Sequence, residues 1–289
     1  MRAAELLGAE GPLARELEGY ELRESQLRMA ALVEDVLEHD GVALVEAGTG
    51  TGKTLAYLVP AILSGRKVVV STGTRTLQDQ IMEHDLPRLA EHLGRPVRAA
   101  CMKGLGNYLC RRRYQALLDG SEAARFAGRL PVLQDWVERT EIGDRAELAG
   151  LPEDDPLWAA VQSGSDTRIG RRCSFHDTCF VTEMRRRAER AQLVVVNHHL
   201  FFADLALRGP HGGGVLPDYD AVVFDEAHRV EDVATLFFGF QVSEPRFERL
   251  RRDAERAFRV AGRADDEAVR LLATLRAEAE AFFGALPDA

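Results

Sequence analysis

Long apolar runs are missing from this 289-residue sequence, and cysteines are few. No stretch approaches the roughly 20 consecutive apolar residues of a membrane-spanning helix. The N-terminus mixes acids with its apolar residues, which a signal peptide does not. We therefore expect a cytoplasmic protein without a membrane partner. Because the cytosol is reducing, the cysteines are expected to be metal ligands or buried thiols rather than disulfides. They are Cys101, Cys110, Cys173 and Cys179.

A net positive charge is absent too, since 46 acidic residues outnumber 37 basic ones. This balance excludes a surface that attracts polyanions everywhere, although it allows a local basic groove. Arginines do cluster locally, at 111–113, 171–172 and 185–187. Single arginines are more often solvated helix faces, so only the grouping favours a groove for a polyanion.

Short apolar runs alternate with helical patterns through much of the chain. Helical periodicity is predicted over 24–38, after the Gly-rich turn near residue 50, and over 75–92. The predicted strands are residues 41–47, 66–72, 96–102, 192–198 and 221–226. This alternation is typical of an α/β fold, in which crossover helices join parallel strands.

The alternation is interrupted once, and this interruption defines the predicted domain layout. Residues 1–102 and 191–240 are expected to form two parts of one α/β domain. Residues 103–190, which contain three of the cysteines, are expected to be a mostly helical insertion. Residues 241–289 read as the start of a charged helical region that breaks off in mid-pattern. The chain is therefore expected to be a piece of a longer protein.

A phosphate-binding loop is the strongest motif. The segment "AGTGTGKT" follows a predicted strand and opens a predicted helix, the setting in which backbone N–H groups wrap phosphates. Lys53 is predicted to reach the β- and γ-phosphates of a nucleotide, and Thr54 to bind Mg²⁺. The predicted nucleotide-binding residues are Ala47, Gly48, Thr49, Gly50, Thr51, Gly52, Lys53 and Thr54.

Two adjacent carboxylates follow the last predicted strand, in "VVFDEAH". On its own, an Asp–Glu pair is usually a solvated loop. Beside a phosphate loop, Asp225 becomes the second half of the Mg²⁺ site, and Glu226 becomes the group that orients and deprotonates the attacking water. The predicted substrate is therefore a nucleoside triphosphate, with ATP and Mg²⁺ as cofactors.

Several ordered motifs together resemble one helicase family. "EAGTGTGKT", "STGTRTLQDQI", "KGLGNYLC", "VVVNHHLFFADL" and "DEAH" are similar to the DinG branch of the XPD-like superfamily-2 helicases, over about residues 20–240. The resemblance implies a RecA-like motor domain whose insertion is an iron–sulfur domain, and a helical arch from 241 onward. It implies an ATP-dependent DNA helicase that moves 5′ to 3′ along single-stranded or forked DNA and works with a second motor domain.

The resemblance also implies roles for residues outside the phosphate loop. Gln26, supported by Arg23, would contact the adenine; the alternative is an exposed helix residue. His228 would link the nucleotide site to the second motor domain; the alternative is a solvated histidine.

DNA contacts are implied at two places. Thr72, Thr74 and Gln78 would bond the DNA backbone without reading sequence, although ordinary strand-end and helix-cap bonding also explains them. Arg111 and Arg112 would belong to a basic groove for single-stranded DNA, where stacking and charge act together.

The cysteines depart from the family pattern. Cys110, Cys173 and Cys179 match three ligands of its [4Fe–4S] cluster, but Arg168 stands at the remaining position. Four thiolates are the usual requirement. Cys101 or His176 is a candidate fourth ligand, and a zinc site or no metal are the other readings.

Two other functions remain open. One is a nucleic-acid-stimulated ATPase or translocase that does not unwind duplexes. The other is a non-catalytic DNA- or metal-binding module, which a lost Lys53, Asp225 or Glu226 would signal; all three are present. The chain by itself is expected to bind ATP–Mg²⁺ weakly and not to unwind DNA.

Overall fold

A computed structural model describes residues 2–16, 21–48, 50–152, 154–211, 213–239, 243–263 and 265–286. Within these ranges four strands form one parallel sheet in the order β2–β3–β1–β4. The strands are β1 (Val68–Thr72), β2 (Ala99–Cys101), β3 (Leu193–Asn197) and β4 (Ala221–Phe224). The predicted α/β class, with a parallel sheet and flanking helices, is confirmed.

The two central strands are buried on both faces, as valine-rich parallel strands usually are. Val68 of β1 and Leu193 of β3 are register partners and contribute to one core. Val69 and Val194, one residue further along, contribute to the opposite core. Since side chains alternate between faces along a strand, these short apolar runs supply two cores at once.

Helices cover both faces of the sheet and form most of the remaining chain. Before the insertion they are α1 (Ala3–Leu7), α2 (Pro12–Glu16), α3 (Glu24–His39), α4 (Lys53–Leu63), α5 (Arg75–Gln80) and α6 (Leu86–His92). The next are α7 (Arg111–Asp119), α8 (Leu130–Arg139), α9 (Pro156–Val161) and α10 (Phe180–Arg190). The last are α11 (His198–His211), α12 (Val230–Phe238), α13 (Glu244–Val260) and α14 (Asp266–Gly284).

The predicted strand before the phosphate loop is wrong for this structure. Residues 41–48 have no strand assignment, and Val42 and Leu44 are 98% and 92% exposed. An alternating apolar pattern suits a strand, but a strand also needs an edge that accepts its hydrogen bonds. Here no described strand pairs with this segment, and β4 forms the edge of the sheet.

The predicted helix over 75–92 is present but interrupted. Thr74 caps its start, since the Thr74 hydroxyl accepts a hydrogen bond from the Leu77 amide at 3.2 Å. A π-helical turn at Ile81–Asp85 then separates α5 from α6. Such turns insert an extra residue into the helical ladder, and periodicity alone does not reveal them.

The cysteine-bearing segment has an apolar cluster of its own. It is built from residues between Leu109 and Phe180, with Trp136 and Trp158 in edge-to-face contact at 6.0 Å between ring centroids. The Trp158 indole donates to the Gly106 carbonyl at 2.8 Å, which satisfies its only polar group. The predicted boundaries at 103 and 190 stay a prediction, and this separate core is consistent with them.

A buried lysine ties this segment to the sheet. Lys103, 4% exposed, follows β2, and its Nζ lies 2.8 Å from the carboxylates of both Asp79 on α5 and Asp144. Burial disfavours the charged amine, but hydrogen bonds to Asp144 and Asp79 outweigh that effect and raise the Lys103 pKa. The ion pairs hold three distant parts of the sequence together.

The residues after Phe237 form a second compact unit. It consists mainly of α13 and α14, whose Phe247 and Phe283 rings meet edge to face at 5.8 Å. Its assignment as the start of an arch stays a prediction. None of the helices in the described ranges combines the length and the apolar character that a bilayer crossing demands.

Replacing Lys103 with methionine should destabilise the protein by about 3–5 kcal/mol, because Asp144 would stay buried without its charged partner. Because the Lys103 pKa is raised, its contribution is complete below the ordinary lysine pKa and is lost only at more alkaline pH. The loss should therefore be constant between about pH 6 and about pH 9. Urea unfolding followed by circular dichroism measures it.

Arg15→Met provides the control, since Arg15 pairs with Glu10 and both side chains are largely exposed. This variant should unfold at nearly the wild-type urea concentration. A Lys103→Met protein as stable as Arg15→Met would contradict the role given to the buried ion pairs.

Candidate nucleotide-binding site

The phosphate loop leads directly into α4. Gly50 and Gly52 have φ angles of 78° and 76°, in the left-handed region that glycine adopts without strain. Gly52 is the N-cap residue and Lys53 the first residue of α4. The N–H groups of the first helical turn therefore face the loop, where they favour an anion.

The Lys53 side chain is hydrogen-bonded to the loop that is predicted to bind phosphates. Its Nζ donates to the carbonyl oxygens of Ala47 at 3.0 Å and Gly48 at 3.2 Å, and the Thr51 hydroxyl donates to the same Gly48 carbonyl at 2.9 Å. The ammonium thus lies over the loop, within a side-chain rotation of a bound phosphate. Thr49 lies outside the described residues.

Gln26 supports the loop from α3. It is buried, and its Nε2 donates to the Gly52 carbonyl at 3.0 Å. A Cβ on Gly52 would lie 2.1 Å from that nitrogen, so the contact requires glycine at this position. The alternative of an exposed helix residue is therefore wrong. The adenine contact stays a prediction, as does the support from Arg23, which pairs with Glu21 at 2.8 Å.

Asp225 and Glu226 emerge at the end of β4, next to β1. The Asp225 amide donates to the Ser71 carbonyl at 2.8 Å, continuing the ladder by one residue. Glu226 then turns with φ 58°, and its amide donates to the Asp225 Oδ1 at 3.0 Å. A left-handed glutamate costs on the order of 1 kcal/mol, and such strain is concentrated at functional sites.

Tyr57 joins the two halves of the predicted magnesium site. Its phenol donates to the Asp225 Oδ2 at 3.1 Å and lies close to the Thr54 side chain. Burial, with the Asp225 carboxylate close by, raises the pKa of Tyr57 well above its ordinary value. Thr54 and Asp225 therefore share Tyr57 as a neighbour, which is consistent with the predicted Mg²⁺ site.

Tyr57 was not among the predicted site residues. The available signal was its position on α4, three residues after Thr54, because residues three apart lie on the same face of a helix. Its partner on β4 is far away in sequence, so only the folded sheet reveals the contact.

His228 lies beside Glu226 but faces solvent. Its Nδ1 is 3.5 Å from the Glu226 Oε2, and its side chain is 68% exposed. An exposed imidazole at this place is available to another domain. The predicted link to a second motor domain stays a prediction.

Comparisons with known proteins agree with this geometry. Residues 26–116, which include the phosphate loop, match the model of the DEAD/DEAH box helicase family. Over 252 residues the chain is 38% identical to "ATP-dependent DNA helicase YoaA" of Escherichia coli, covering 86% of this chain and 40% of that protein. Over 238 residues it is 36% identical to "ATP-dependent helicase DinG" of Mycobacterium tuberculosis, covering 74% and 35%. The chain is similar to DinG-like DEAD/DEAH box helicases over most of its own length.

A third DinG-like relative has a different printed activity. The chain is 35% identical over 240 residues to "3'-5' exonuclease DinG" of Bacillus subtilis, covering 80% of this chain and 25% of that protein. The chain thus spans about two fifths or less of the length of these relatives.

The predicted DNA contacts of this DinG-like chain are largely internal. Thr72 is buried and its hydroxyl donates to the Thr74 carbonyl at 3.0 Å. Gln78 is fully buried and its Nε2 donates to the Met102 carbonyl at 3.2 Å. Strand-end and helix-cap bonding therefore accounts for these side chains, and their contact with DNA stays a prediction.

The arginines at the start of α7 bind backbone carbonyls of the insertion. Arg111 donates to the Thr178 carbonyl at 2.9 Å and stacks over the Phe180 ring at 4.2 Å. Arg112 donates to the Thr167 carbonyl at 2.8 Å. Both guanidinium groups thus have a structural role, and their part in a DNA groove stays a prediction.

The cysteines do not supply a four-thiolate cluster. Cys101 lies at the end of β2, where Gln78 donates to its sulfur at 3.6 Å. Burial raises the pKa of the Cys101 thiol to about 12.

Arg168 occupies the position of the missing ligand and lies near α10. Burial lowers the pKa of Arg185, and the positive charge of Arg168 lowers it further. His176, the other candidate ligand, is 3.3 Å from the Asp177 carboxylate. Within the described ranges, no group of three or more His, Cys, Asp and Glu side chains is arranged to hold a metal ion. The residues present therefore do not fit a four-cysteine cluster.

Replacing Tyr57 with phenylalanine should weaken Mg²⁺–ATP binding by about tenfold, since a hydrogen bond to a charged group contributes about 1.5 kcal/mol. Affinity for ATP in excess EDTA should change little, because the phenol acts through Asp225 and Thr54. Isothermal titration with and without Mg²⁺ makes the comparison.

The control is Tyr114→Phe, at a half-buried tyrosine on α7 in the insertion. It should bind Mg²⁺–ATP like the wild type. Equal losses with and without Mg²⁺ in Tyr57→Phe would instead indicate a general packing defect in α4.

Proposed function

We propose that this chain is the ATP-binding part of a motor that uses ATP hydrolysis to move along and unwind DNA. The observation that carries the proposal is the Tyr57 hydroxyl, which joins Thr54 of the phosphate loop to Asp225 of the DEAH box. Similarity to this helicase family supports the nucleotide and the nucleic-acid substrate. The whole protein's activity belongs to this proposal, because the relatives are much longer than this chain.

Each residue of the site has a separate task in hydrolysis. Lys53 leaves the carbonyls of Ala47 and Gly48 and bonds the β- and γ-phosphates, while the N–H groups at the start of α4 hold the phosphate oxygens. Thr54 and Asp225 would hold Mg²⁺, which would supply positive charge against the charge that develops on the phosphates. Glu226 orients the attacking water and accepts its proton.

The DNA part of the proposal rests on the family. Single-stranded or forked DNA is the proposed partner, with 5′-to-3′ movement and a cytoplasmic setting. A second motor domain of the same protein is proposed to close the nucleotide site, with exposed His228 at the contact. The chain without that domain is expected to bind ATP but to hydrolyse it slowly.

Two substitutions should separate ATP binding from hydrolysis. Lys53→Ala should weaken ATP binding, because it removes the cation that faces the phosphates. Glu226→Gln should bind ATP normally but lower the DNA-stimulated kcat by about 100-fold or more, the usual contribution of a general base. Binding is measured on this chain, and hydrolysis on the longest natural form of the protein, with single-stranded DNA, RNA and no nucleic acid.

Glu91→Gln serves as the control, since Glu91 is exposed on α6. It should match the wild type in both assays. Wild-type hydrolysis by Glu226→Gln would contradict the proposal, and stronger stimulation by RNA than by DNA would redirect it to another nucleic acid.

For the insertion we propose that Arg168 prevents a [4Fe–4S] cluster from assembling in its four-cysteine form. Three cysteines, Cys110, Cys173 and Cys179, stand at family positions, and the fourth thiol is replaced by a cation beside Arg185. The alternatives, zinc or no metal, remain outcomes of metal analysis.

Arg168→Cys should therefore increase bound iron and sulfide several-fold in protein purified anaerobically from iron-replete cells, since it restores the usual set of four thiols. Cys101→Ala in the wild-type background should leave metal content unchanged, because Cys101 lies at the end of β2 and its sulfur accepts a hydrogen bond from Gln78. A full complement of iron and sulfide in the wild type, lost in Cys101→Ala, would contradict both statements.

A further inference from the structure

His198 is a buried histidine that none of the roles above uses. It is the first residue of α11, directly after β3, and is 1% exposed. Its ring lies beside Phe224 of β4, with 6.0 Å between the ring centroids. A titratable ring buried at the carboxyl edge of the sheet, close to the nucleotide site, requires a reason.

The two ring nitrogens of His198 are in different situations. Nδ1 lies 2.7 Å from the hydroxyl oxygen of Ser71 on β1. Nε2 is buried, and among the described residues none makes a well-formed hydrogen bond to it, although the ring lies close enough to the backbone of Glu226 and Asp225 for hydrogen bonding there to raise its pKa. Burial lowers the pKa of His198, while the backbone of Glu226 and Asp225 and the Asp225 carboxylate act in the opposite direction. The ring nitrogen opposite Ser71 therefore lies next to the DEAH loop, residues 225–228.

The turn after β1 is packed against the same loop. The Ser71 carbonyl accepts the Asp225 amide, and Gly73 lies so close that a Cβ there would be 3.0 Å from Arg229 Cδ and 3.4 Å from Glu226 Cβ. This turn, residues 71–74, also contains Thr72 and Thr74, which are predicted to face DNA. The turn therefore cannot shift toward the DEAH loop unless the Glu226 side chain also moves.

A buried nitrogen without a well-formed hydrogen bond is unfavourable, and each such group in a native structure needs an explanation. A ring that Ser71 holds at Nδ1, with no well-formed bond at Nε2, is suited to a structure with two states. In one state Nε2 has no well-formed bond; in the other it bonds the DEAH loop. Glu226, whose backbone is already strained, is the part of that loop positioned to move.

We propose that His198 is a positioning residue that couples the 71–74 turn to Glu226, so that DNA bound at the turn increases ATP hydrolysis. Ser71 orients the ring, and Nε2 bonds the DEAH-loop backbone when the turn is occupied. Glu226 then has the position from which it orients water. The inference rests on the proposed ATPase function and adds to it a route for its regulation by DNA.

Two amide substitutions test the route because they preserve different nitrogens. In His198→Asn the amide reaches about as far as Nδ1, so it keeps the Ser71 bond and loses the atom facing the DEAH loop. In His198→Gln the amide reaches about as far as Nε2. The readout is the ratio of kcat with single-stranded DNA to kcat without it, measured on the longest natural form of the protein, with melting temperature and ATP affinity measured alongside.

His198→Asn should lower the stimulation ratio by about tenfold, whereas His198→Gln should retain it within about threefold. Ser71→Ala should resemble His198→Asn, because the ring loses its orienting bond. His199→Gln is the matched control: it makes the same change at the next residue, which is exposed, and should keep the wild-type ratio.

Three results would overturn the inference. The first is a wild-type ratio in His198→Asn, the second is an equal loss of stimulation in both amide variants, and the third is a loss that follows a lower melting temperature. Each outcome would reduce His198 to a packing residue. These results differ from failure of the proposed function, in which the wild type itself would show no ATPase. They also differ from the case in which DNA does not bind at the 71–74 turn and does not stimulate hydrolysis. In that case the wild-type ratio of kcat with DNA to kcat without it would be one.

Discussion

The parallel pairing of β1 with β4 is the constraint on which the nucleotide site depends. Ser71 and Phe224 are register partners, and the next rung, from the Asp225 amide to the Ser71 carbonyl, determines where the DEAH loop leaves the sheet. Asp225 then meets Tyr57 of α4. A slip of one residue would turn the carboxylate toward the opposite face of the sheet. The same slip would also remove the DEAH loop from His198.

The polar groups at this edge of the sheet hydrogen-bond to one another. When a nucleotide binds, bonds to its phosphates would replace these internal bonds. Lys53 is satisfied by loop carbonyls, and the Gly52 carbonyl by Gln26. Such exchanges cost little, because a hydrogen bond contributes only about 1 kcal/mol net, whereas an unpaired buried charge costs far more. The site is therefore ordered before it binds, and His198 Nε2 is one of the buried polar atoms of the described residues that have no well-formed hydrogen bond.

In the described residues, hydrogen bonds from arginines to carbonyl groups and an apolar cluster hold the insertion together. Arg111 and Arg112 bond carbonyls near Thr178 and Thr167, and the Trp136–Trp158 pair occupies its apolar cluster. Lys103 then fastens it to α5 through Asp79. These contacts join segments that lie far apart in the sequence, so motif spacing indicated the family but not the structural use of these arginines.

The sequence alone predicted the strand-forming valine runs, the helix that begins at Lys53 and the Asp–Glu pair after β4. These features depend on local pattern and on backbone conformations that glycine permits. Local pattern failed at residues 41–48, where a strand needs a neighbouring edge. Which interior carbonyl groups the Thr72 hydroxyl and the Gln78 amide bond was decided by the tertiary structure. Only the tertiary structure decided that Tyr57 joins Thr54 to Asp225 and that His198 lies between Ser71 and the DEAH loop. The reason is physical: these partners come from strands and helices separated by more than a hundred residues, and it is the sheet that brings them within hydrogen-bonding distance.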